Sequence, residues 1–89
     1  MQDKEKILLK AIGKVIKKVR KEKELKFTIF CYENDISKTT LHMVENGKNK
    51  PIITSLAKII EALGISYSDF GRLLDQELPK EYFEKENLF

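Results

Sequence analysis

The sequence predicts an all-α protein of five helices joined by short connections. Apolar residues recur at spacings of three and four along most of the chain, which is the period of helices that bury one face. No segment alternates apolar and polar residues as a half-buried strand does. A length of 89 residues corresponds to one domain with a modest core. The hydrophobic content of 42%, with two Pro and four Gly, favours a folded chain over a disordered one.

The first helix is predicted from about Lys4 to Lys23 by an apolar stripe opposite a lysine-rich face. Gly13 lies inside this pattern, where it costs ~1 kcal/mol relative to Ala. We therefore expect it to mark either a kink or the start of the main helix. The apolar stripe comprises Ile7, Leu8, Ala11, Ile12, Val15, Ile16 and Val19, and the basic face comprises Lys10, Lys14, Lys17, Lys18 and Lys21.

A connector and a short second helix follow. Residues 25–27 form the connector, and residues 28–33 form the helix, with Phe30 and Cys31 on its buried side. Cys31 is the only cysteine, so no intrachain disulfide is possible and a reducing cytoplasm is the default environment. A buried Cys behaves as a small hydrophobe, which we favour here over a redox role.

A tight turn then leads into a third helix. Asn34 and Asp35 are non-Gly residues suited to a left-handed turn. Ser37 is suited to cap the third helix, and Gly47 lies where a C-terminal glycine cap belongs. Two short helices joined by such a turn form a helix-turn-helix. The side chains predicted to anchor this unit in the core are Ile36, Leu41 and Val44.

Two further helices and a short tail complete the chain. The fourth helix is predicted between Pro51 and Gly64, and the fifth begins at a Ser66 cap and is ended by Pro79. The tail, KEYFEKENLF, places four large apolar side chains among charges. The apolar residues that define the two helices are Ile53, Leu56, Ile59, Ile60 and Leu63, then Phe70, Leu73, Leu74 and Leu78.

Charge is distributed unevenly along the chain. The net charge is +6 over residues 1–26, zero over residues 27–50 and −3 over residues 51–89. A basic first helix favours a polyanion partner, although a lysine-rich helix surface serves solubility equally well. No apolar run approaches the ~18 residues of a membrane span, and the charged start does not match a signal peptide. Because no Gly-rich phosphate loop, Cys/His metal spacing or nucleophile–base set is found, we expect no enzyme, no cofactor and no metal.

The third helix is anchored through one narrow face, which leaves its other face free to enter a DNA major groove. Lys38 can donate to guanine O6 and N7, or else hold a phosphate. Thr39 and Met43 offer methyl groups that suit thymine, although Met43 could instead pack against the second helix. His42 is the only His and could donate to a base or lie on the surface. Residues 48–50, Lys-Asn-Lys, place cations and backbone N–H groups beside a phosphate strand.

Three segments, IGKVIKKVRKEKEL, DISKTTLHMVENGKNKP and LAKIIEALGIS, resemble the phage-repressor and Xre-type helix-turn-helix family. The resemblance covers Ile12 to about Phe70 and implies a lambda-repressor-like five-helix domain. It also implies base contacts at the start of the third helix, phosphate contacts around it, and an ion pair between the first and third helices. The residues carried over are Lys38, Thr39, His42 and Met43 for bases; Ser37, Thr40, Asn46, Lys48 and Lys50 for phosphates; and Arg20 with Glu45 for the ion pair.

The sequence departs from this family at two places. Members usually have Ser or Thr, then Gln, where this chain has Lys26 and Phe27, and that Gln commonly touches DNA. Phe27 offers no hydrogen bond, so a side-chain contact is lost, and Thr28 becomes the expected cap of the second helix. Asp35 stands where Gly is usual, and it adds a negative charge near the groove.

The leading prediction is a sequence-specific DNA-binding transcription regulator, acting as a dimeric repressor that inserts the helix from Ser37 to Asn46 into the major groove of double-stranded DNA. The resemblance places it in a bacterial or phage-infected cytoplasm. The alternative is a protein-interaction module on the same fold, with weak or no DNA binding, which uses the aromatic tail. Phe27, Asp35 and the absence of net positive charge over residues 27–50 favour that alternative.

The C-terminal part is expected to support the assembly. Residues 1–74 are predicted to form the DNA-binding domain, and residues 75–89 a C-terminal extension. Large apolar side chains in the extension need to be buried in the monomer, in a second copy or in a partner protein. The predicted dimer or partner contacts are Phe70, Leu74, Tyr82, Phe83, Leu88 and Phe89.

Overall fold

The computed structural model describes residues 3–84, and this part of the chain folds into five α-helices followed by a short 3-10 helix, with no strand among them. The predicted fold class is therefore confirmed. The elements are α1 (Lys4–Glu22), α2 (Phe27–Glu33), α3 (Lys38–Glu45), α4 (Ile53–Ala62), α5 (Tyr67–Glu77) and the 3-10 helix (Lys80–Phe83).

The core forms where α1 packs against α3 and α5, with α2 against α3. Each large aliphatic side chain that is fully buried there contributes about 1.5–3 kcal/mol of hydrophobic stabilisation. The predicted apolar stripes of α1, α3 and α4 all supply it, and so does Ile36 from the turn between α2 and α3. The largest fully buried side chains are Ile16, Leu41, Ile59, Leu63, Val15 and Val44.

Serine caps fix the starts of α3 and α5 where the sequence predicts them. Ser37 Oγ accepts from Thr40 N at 3.2 Å, and Ser66 Oγ accepts from Asp69 N at 3.0 Å. These bonds satisfy backbone N–H groups that a helix start otherwise leaves without a partner. The start of α1 has a third cap of this kind, since the side chain of Asp3 accepts from Glu5 N.

The first three helices end in one shared backbone pattern. A residue with positive φ follows the last turn, and the next N–H donates back to a carbonyl five residues earlier. Glu24 (φ 56°), Asp35 (φ 54°) and Gly47 (φ 67°) are the positive-φ residues. The back bonds join Leu25 N to Arg20 O, Ile36 N to Cys31 O and Lys48 N to Met43 O, all at 2.9 Å. The left-handed turn expected at Asp35 and the cap expected at Gly47 are thus present.

Gly13 does not begin α1, because the helix starts at Lys4 and runs through Gly13 without a break. A Cβ built on Gly13 would lie 2.4 Å from Val44 O and 2.6 Å from Glu45 O. Real Cβ atoms do not approach backbone oxygens so closely. Glycine is therefore required at this position because the backbones of α1 and α3 meet there.

Three other expectations differ from the structure. Helix α2 begins at Phe27 with Lys26 as its N-cap residue, so Thr28 lies inside the helix and does not cap it. Ile53, one of the apolar residues that located α4, is 77% exposed because it occupies the first position of that helix. The boundary drawn between residues 74 and 75 falls within α5, where no break in the helix marks it.

Candidate nucleic-acid interface

The helix-turn-helix unit is held together through its turn. Ile36 buries its side chain in the core, and Asn34 Nδ2 donates to Phe30 O at 2.9 Å, which closes the end of α2. Lys58 of α4 donates from Nζ to Asp35 O at 2.7 Å, and the same Nζ lies 3.8 Å from Asp35 Oδ2. The added negative charge of Asp35 is thus met by a cation from α4, a contact that the local sequence does not indicate.

Helix α3 presents one face to the core and the other to solvent. Leu41 and Val44 are fully buried, as the sequence predicts. The four predicted base-contact residues lie on the outer side, three of them exposed and the fourth, Met43, half-buried. The half-burial of Met43 agrees with the alternative that part of its side chain packs within the unit. The three exposed residues are Lys38, Thr39 and His42.

The predicted phosphate-contact residues border both ends of α3. Ser37 uses its hydroxyl oxygen as the acceptor for the helix cap, so its O–H proton is still available to a phosphate. Thr40 is half-buried in the first turn of α3, and Lys48 is exposed beyond the end of the helix. The other two predicted phosphate-contact residues, Asn46 and Lys50, already bind neighbouring side chains or carbonyls within the protein.

Asn46 and Lys50 both have partners within the chain. Asn46 Nδ2 donates to His42 O at 2.7 Å and lies 3.5 Å from His42 Nδ1, so its amide closes the end of α3. Lys50 Nζ lies 3.1 Å from Glu5 Oε2 in an ion pair between exposed side chains. A side-chain contact from either residue to a phosphate therefore requires these local bonds to rearrange.

The start of α2 lacks the side chains expected of a DNA contact. Lys26 makes no capping hydrogen bond with its side chain. Phe27 is half-buried, and its ring lies beneath the guanidinium of Arg20, with 5.3 Å between Arg20 Cζ and the ring centroid. Phe27 thus packs against Arg20 within the protein, at the position where the resemblance implies a Gln that contacts DNA.

Arg20 and Glu45, which the resemblance implies as an ion pair, are brought together by the structure. Arg20 Nε donates to Glu45 Oε2 at 2.7 Å and Nη2 donates to Oε1 at 3.2 Å, and both side chains are buried. The third guanidinium nitrogen, Nη1, donates to Leu25 O at 2.9 Å. This two-point bond joins the last turn of α1 to the last residue of α3 and restrains the angle at which α3 is presented.

Cys31 is buried between the helices, as predicted. Burial raises the pKa of the Cys31 thiol above its usual value, and the nearby carboxylate of Glu45 adds to the rise. Arg20 and Lys38 act in the opposite direction with smaller effect. Since the thiolate is the reactive form, the raised pKa makes the side chain inert, which agrees with its role as a small hydrophobe.

The predicted dimer or partner residues are placed very differently from one another. Phe70 is 6% exposed and belongs to the core, so its assignment as a contact residue is wrong: the first turn of α5 needs its ring to close the domain. Leu74 is half-buried against the core, and Tyr82 packs on the start of α1, where Lys4 Nζ donates to Tyr82 O and lies 4.2 Å from its ring centroid. Phe83 remains 54% exposed. The last two predicted residues, Leu88 and Phe89, fall outside the described residues.

Several exposed apolar side chains were not singled out from the sequence as contact residues. Ile52 and Ile53 are 68% and 77% exposed at the start of α4. Tyr67 is exposed at the start of α5, where its hydroxyl donates to Glu61 Oε2. Their position in the sequence could have indicated this exposure. Residues at the very start of a helix precede its apolar stripe, so they need not be buried with it. The other exposed apolar residues are Ile29 and Tyr32, on the outer face of α2.

Two features that residues 3–84 lack bear on the class of site. Within residues 3–84, no three His, Cys, Asp or Glu side chains are grouped so as to hold a metal ion. None of the helices in that same part of the chain has the length and apolar character needed to cross a membrane.

Comparison with known proteins gives a consistent set of matches. No protein-family model matches the chain. Control protein C.MunI of Mycoplasma sp. is 35% identical over 66 residues, which span 73% of this chain and 89% of that protein.

Solved structures give the same result for the fold. The controller protein C.Esp1396I, a restriction-modification protein solved as a tetramer in complex with its natural 35 base-pair operator, superposes with a TM-score of 0.74 and 30% identity, covering 79% of this chain and 92% of that one. The same protein bound to a 25 base-pair operator site superposes with a TM-score of 0.72, again at 30% identity and with the same two coverages.

Proposed function

The chain belongs to the controller proteins of restriction-modification systems, which are Xre-type helix-turn-helix transcription regulators, and we propose that it binds an operator as a homodimer with α3 in the major groove. Family membership favours this over the protein-interaction module considered from the sequence. The proposal extends to the locus: the protein regulates transcription within a restriction-modification system.

The exposed face of α3 is the observation that carries the proposal. Lys38, Thr39 and His42 project from a helix whose opposite face is fixed by Leu41 and Val44. A recognition helix held in this way can enter a groove about 12 Å wide with its polar side chains towards the base edges. The buried bond between α1 and α3 keeps that helix in one orientation, which reduces the ordering cost of binding.

A dimer follows from the size of the contact. One α3 helix reads only a few base pairs, and readers of this kind reach specificity by placing two copies on half-sites about one helical turn apart. The tetramer of C.Esp1396I on its natural operator supports an assembly of more than one copy. We therefore propose a near-palindromic operator whose symmetry matches that of the dimer.

The protein acts in the cytoplasm, where its DNA target lies, and it has no catalytic activity of its own. Repression is the expected direction of regulation. A promoter–reporter fusion with and without the protein tests the direction, because activation would raise the reporter signal that repression lowers.

Selection of bound sequences from random duplex DNA, using the purified full-length protein, tests the function directly. We expect enrichment of one motif with two-fold symmetry. Enrichment of an asymmetric motif would contradict the dimer but keep the regulator. Recovery of no motif, together with no measurable affinity for duplex DNA at low salt, would contradict DNA binding and restore the interaction module.

A further inference from the structure

The first half of α1 lies along the α3–α4 loop, residues 46–52. A Cβ built on Gly47 would lie 3.0 Å from Lys10 Cα, so the two backbones touch at that point. Further along the loop, Lys50 Nζ lies 3.1 Å from Glu5 Oε2. The loop therefore runs beside α1 from Lys10 towards Glu5, and the two segments share one edge of the molecule.

The lysines of α1 differ in what surrounds their ammonium groups. Lys14 Nζ lies 3.8 Å from Glu77 Oε1, so a carboxylate of α5 already neutralises part of its charge. Lys10 is exposed, and within residues 3–84 no carboxylate forms an ion pair with it. Lys10 also lies against the loop, since its own backbone meets Gly47.

Charge is balanced at the far end of the shared edge. Asp3 and Glu5 lie there beside Lys4 and Lys6, and Glu5 also pairs with Lys50. A polyanion that follows the loop therefore meets balanced charge near residue 5 and net positive charge near Lys10 and Lys48. This places the contact at the second turn of α1 and away from its N-terminus.

We propose that Lys10 of α1 is a further DNA-binding residue, which holds a backbone phosphate of the operator next to the one approached by the α3–α4 loop. The inference rests on the proposed function and extends its contact surface to a helix outside the helix-turn-helix. An ammonium at this distance from the base edges carries no sequence information. Its contribution comes from neutralising a phosphate and releasing the counterion condensed there.

The size of the effect follows from counterion release. One phosphate contact changes the slope of log affinity against log salt by about 0.9. Relative to about 1 M salt, where this contribution vanishes, the change corresponds to about fivefold in affinity at about 0.15 M salt. The loss is expected to be the same on the selected operator and on a scrambled duplex, because the contact reads no base.

Lys10→Gln is the test variant and Lys18→Gln is its matched control. Both substitutions remove one positive charge from an exposed position of α1, so they change the net charge equally. Lys18 lies beside Leu73 and Gln76 of α5, away from the loop. Lys10→Arg restores the charge, and thermal unfolding followed by circular dichroism checks that each variant keeps the fold.

Fluorescence anisotropy over a salt series, with the full-length protein and both duplexes, gives the outcome. We expect Lys10→Gln to reduce the salt slope by about 0.9 on both duplexes, Lys18→Gln to leave it near the wild-type value, and Lys10→Arg to restore it. Equal slopes for the two Gln variants would overturn the inference while leaving the proposed function intact. If the wild-type protein binds neither duplex, the proposed function is wrong and the inference fails with it.

Discussion

Lys38 and Lys48 have the same side chain at opposite ends of α3. Lys38 is the first residue of the helix, and Lys48 follows the helix in the α3–α4 loop. Lys38→Ala should weaken operator binding by about 1–3 kcal/mol and relax the preference at one base position, because a base contact is lost. Binding to the selected operator and to its single-base variants measures both effects.

Lys48→Ala is the comparison for that experiment. It should weaken binding to operator and scrambled duplexes alike and lower the salt slope by about 1, as expected for a phosphate contact. If Lys38→Ala behaves in the same way as Lys48→Ala, then Lys38 holds a phosphate and the base-reading role assigned to it is wrong.

Arg20 and Glu45 form the buried ion pair between α1 and α3. Removing one partner leaves an uncompensated charge in the core, and such changes cost about 3–5 kcal/mol of unfolding free energy. Arg20→Ala and Glu45→Ala should therefore each destabilise strongly, while the double change should cost less than the sum of the two. Urea unfolding of the wild type, the two single variants and the double variant measures the four unfolding free energies of this double-mutant cycle. Additive losses would show that the two side chains are not coupled.

At the scale of elements, the approach of α1 to α3 depends on one missing side chain. Gly13→Ala would place a methyl group 2.4 Å from Val44 O, which forces the two helices apart. We expect a loss of about 1–3 kcal/mol, the usual cost of overpacking a close contact. Denaturant unfolding measures the loss, and the displaced α3 should also weaken operator binding.

Gly71 supplies the matched control for this helix-packing prediction. It lies inside α5, and a Cβ built there meets no atom within 4 Å. Gly71→Ala should therefore stabilise the protein by about 0.5–1 kcal/mol, since Ala has the higher helix propensity and no contact opposes it. If both substitutions stabilise, the packing at Gly13 is looser than the structure indicates.

The ends of the helices show a second effect at the same scale. Glu24 and Asp35 both adopt positive φ, although only the Asp belongs to the residues that favour a left-handed turn. The bond from Leu25 N to Arg20 O holds Glu24 in place, and Arg20 Nη1 binds the carbonyl of Leu25 as well. Two hydrogen bonds between Arg20 and Leu25 thus hold a turn that the residue type at position 24 does not indicate.

At the scale of the whole molecule, the proposed dimer needs a surface through which two copies can pack. Ile52 and Ile53 expose much of their side chains at the start of α4, and large apolar side chains left in water favour burial against a partner. In a two-fold contact the same residue occurs on both sides. Ile53→Asp should therefore place two carboxylates in the interface and shift the protein towards monomer in sedimentation equilibrium without DNA.

Phe83→Asp is the comparison, because Phe83 is also exposed but lies in the 3-10 helix of the extension. We expect this variant to keep the wild-type sedimentation behaviour. If Phe83→Asp produces monomer and Ile53→Asp does not, the contact lies in the C-terminal extension, as the sequence suggests. Similar behaviour of both variants and the wild type would exclude either surface from the assembly.

The sequence by itself determined the features that depend on local physics. Helical periodicity located α1, α4 and α5, Ser37 and Ser66 marked two helix starts, and Gly47 marked the end of α3. The positions assigned to face DNA follow from the same periodicity, since a helix anchored by Leu41 and Val44 must turn its other side outwards. Side-chain spacing and capping act within one or two turns, which is why a single sequence is enough to read them.

The tertiary structure decided what depends on neighbours distant along the chain. The need for glycine at position 13 exists only because α3 crosses α1 there, and the loss of Phe70 as a contact residue follows from its place in the core. From the sequence, the pairing of Arg20 with Glu45 rested only on a family resemblance. The structure shows the pair because the packing of α1 against α3 brings the two side chains together. Lys10 became a candidate for binding DNA in the same way, because its distance from the α3–α4 loop is set by packing and leaves no trace in its local sequence.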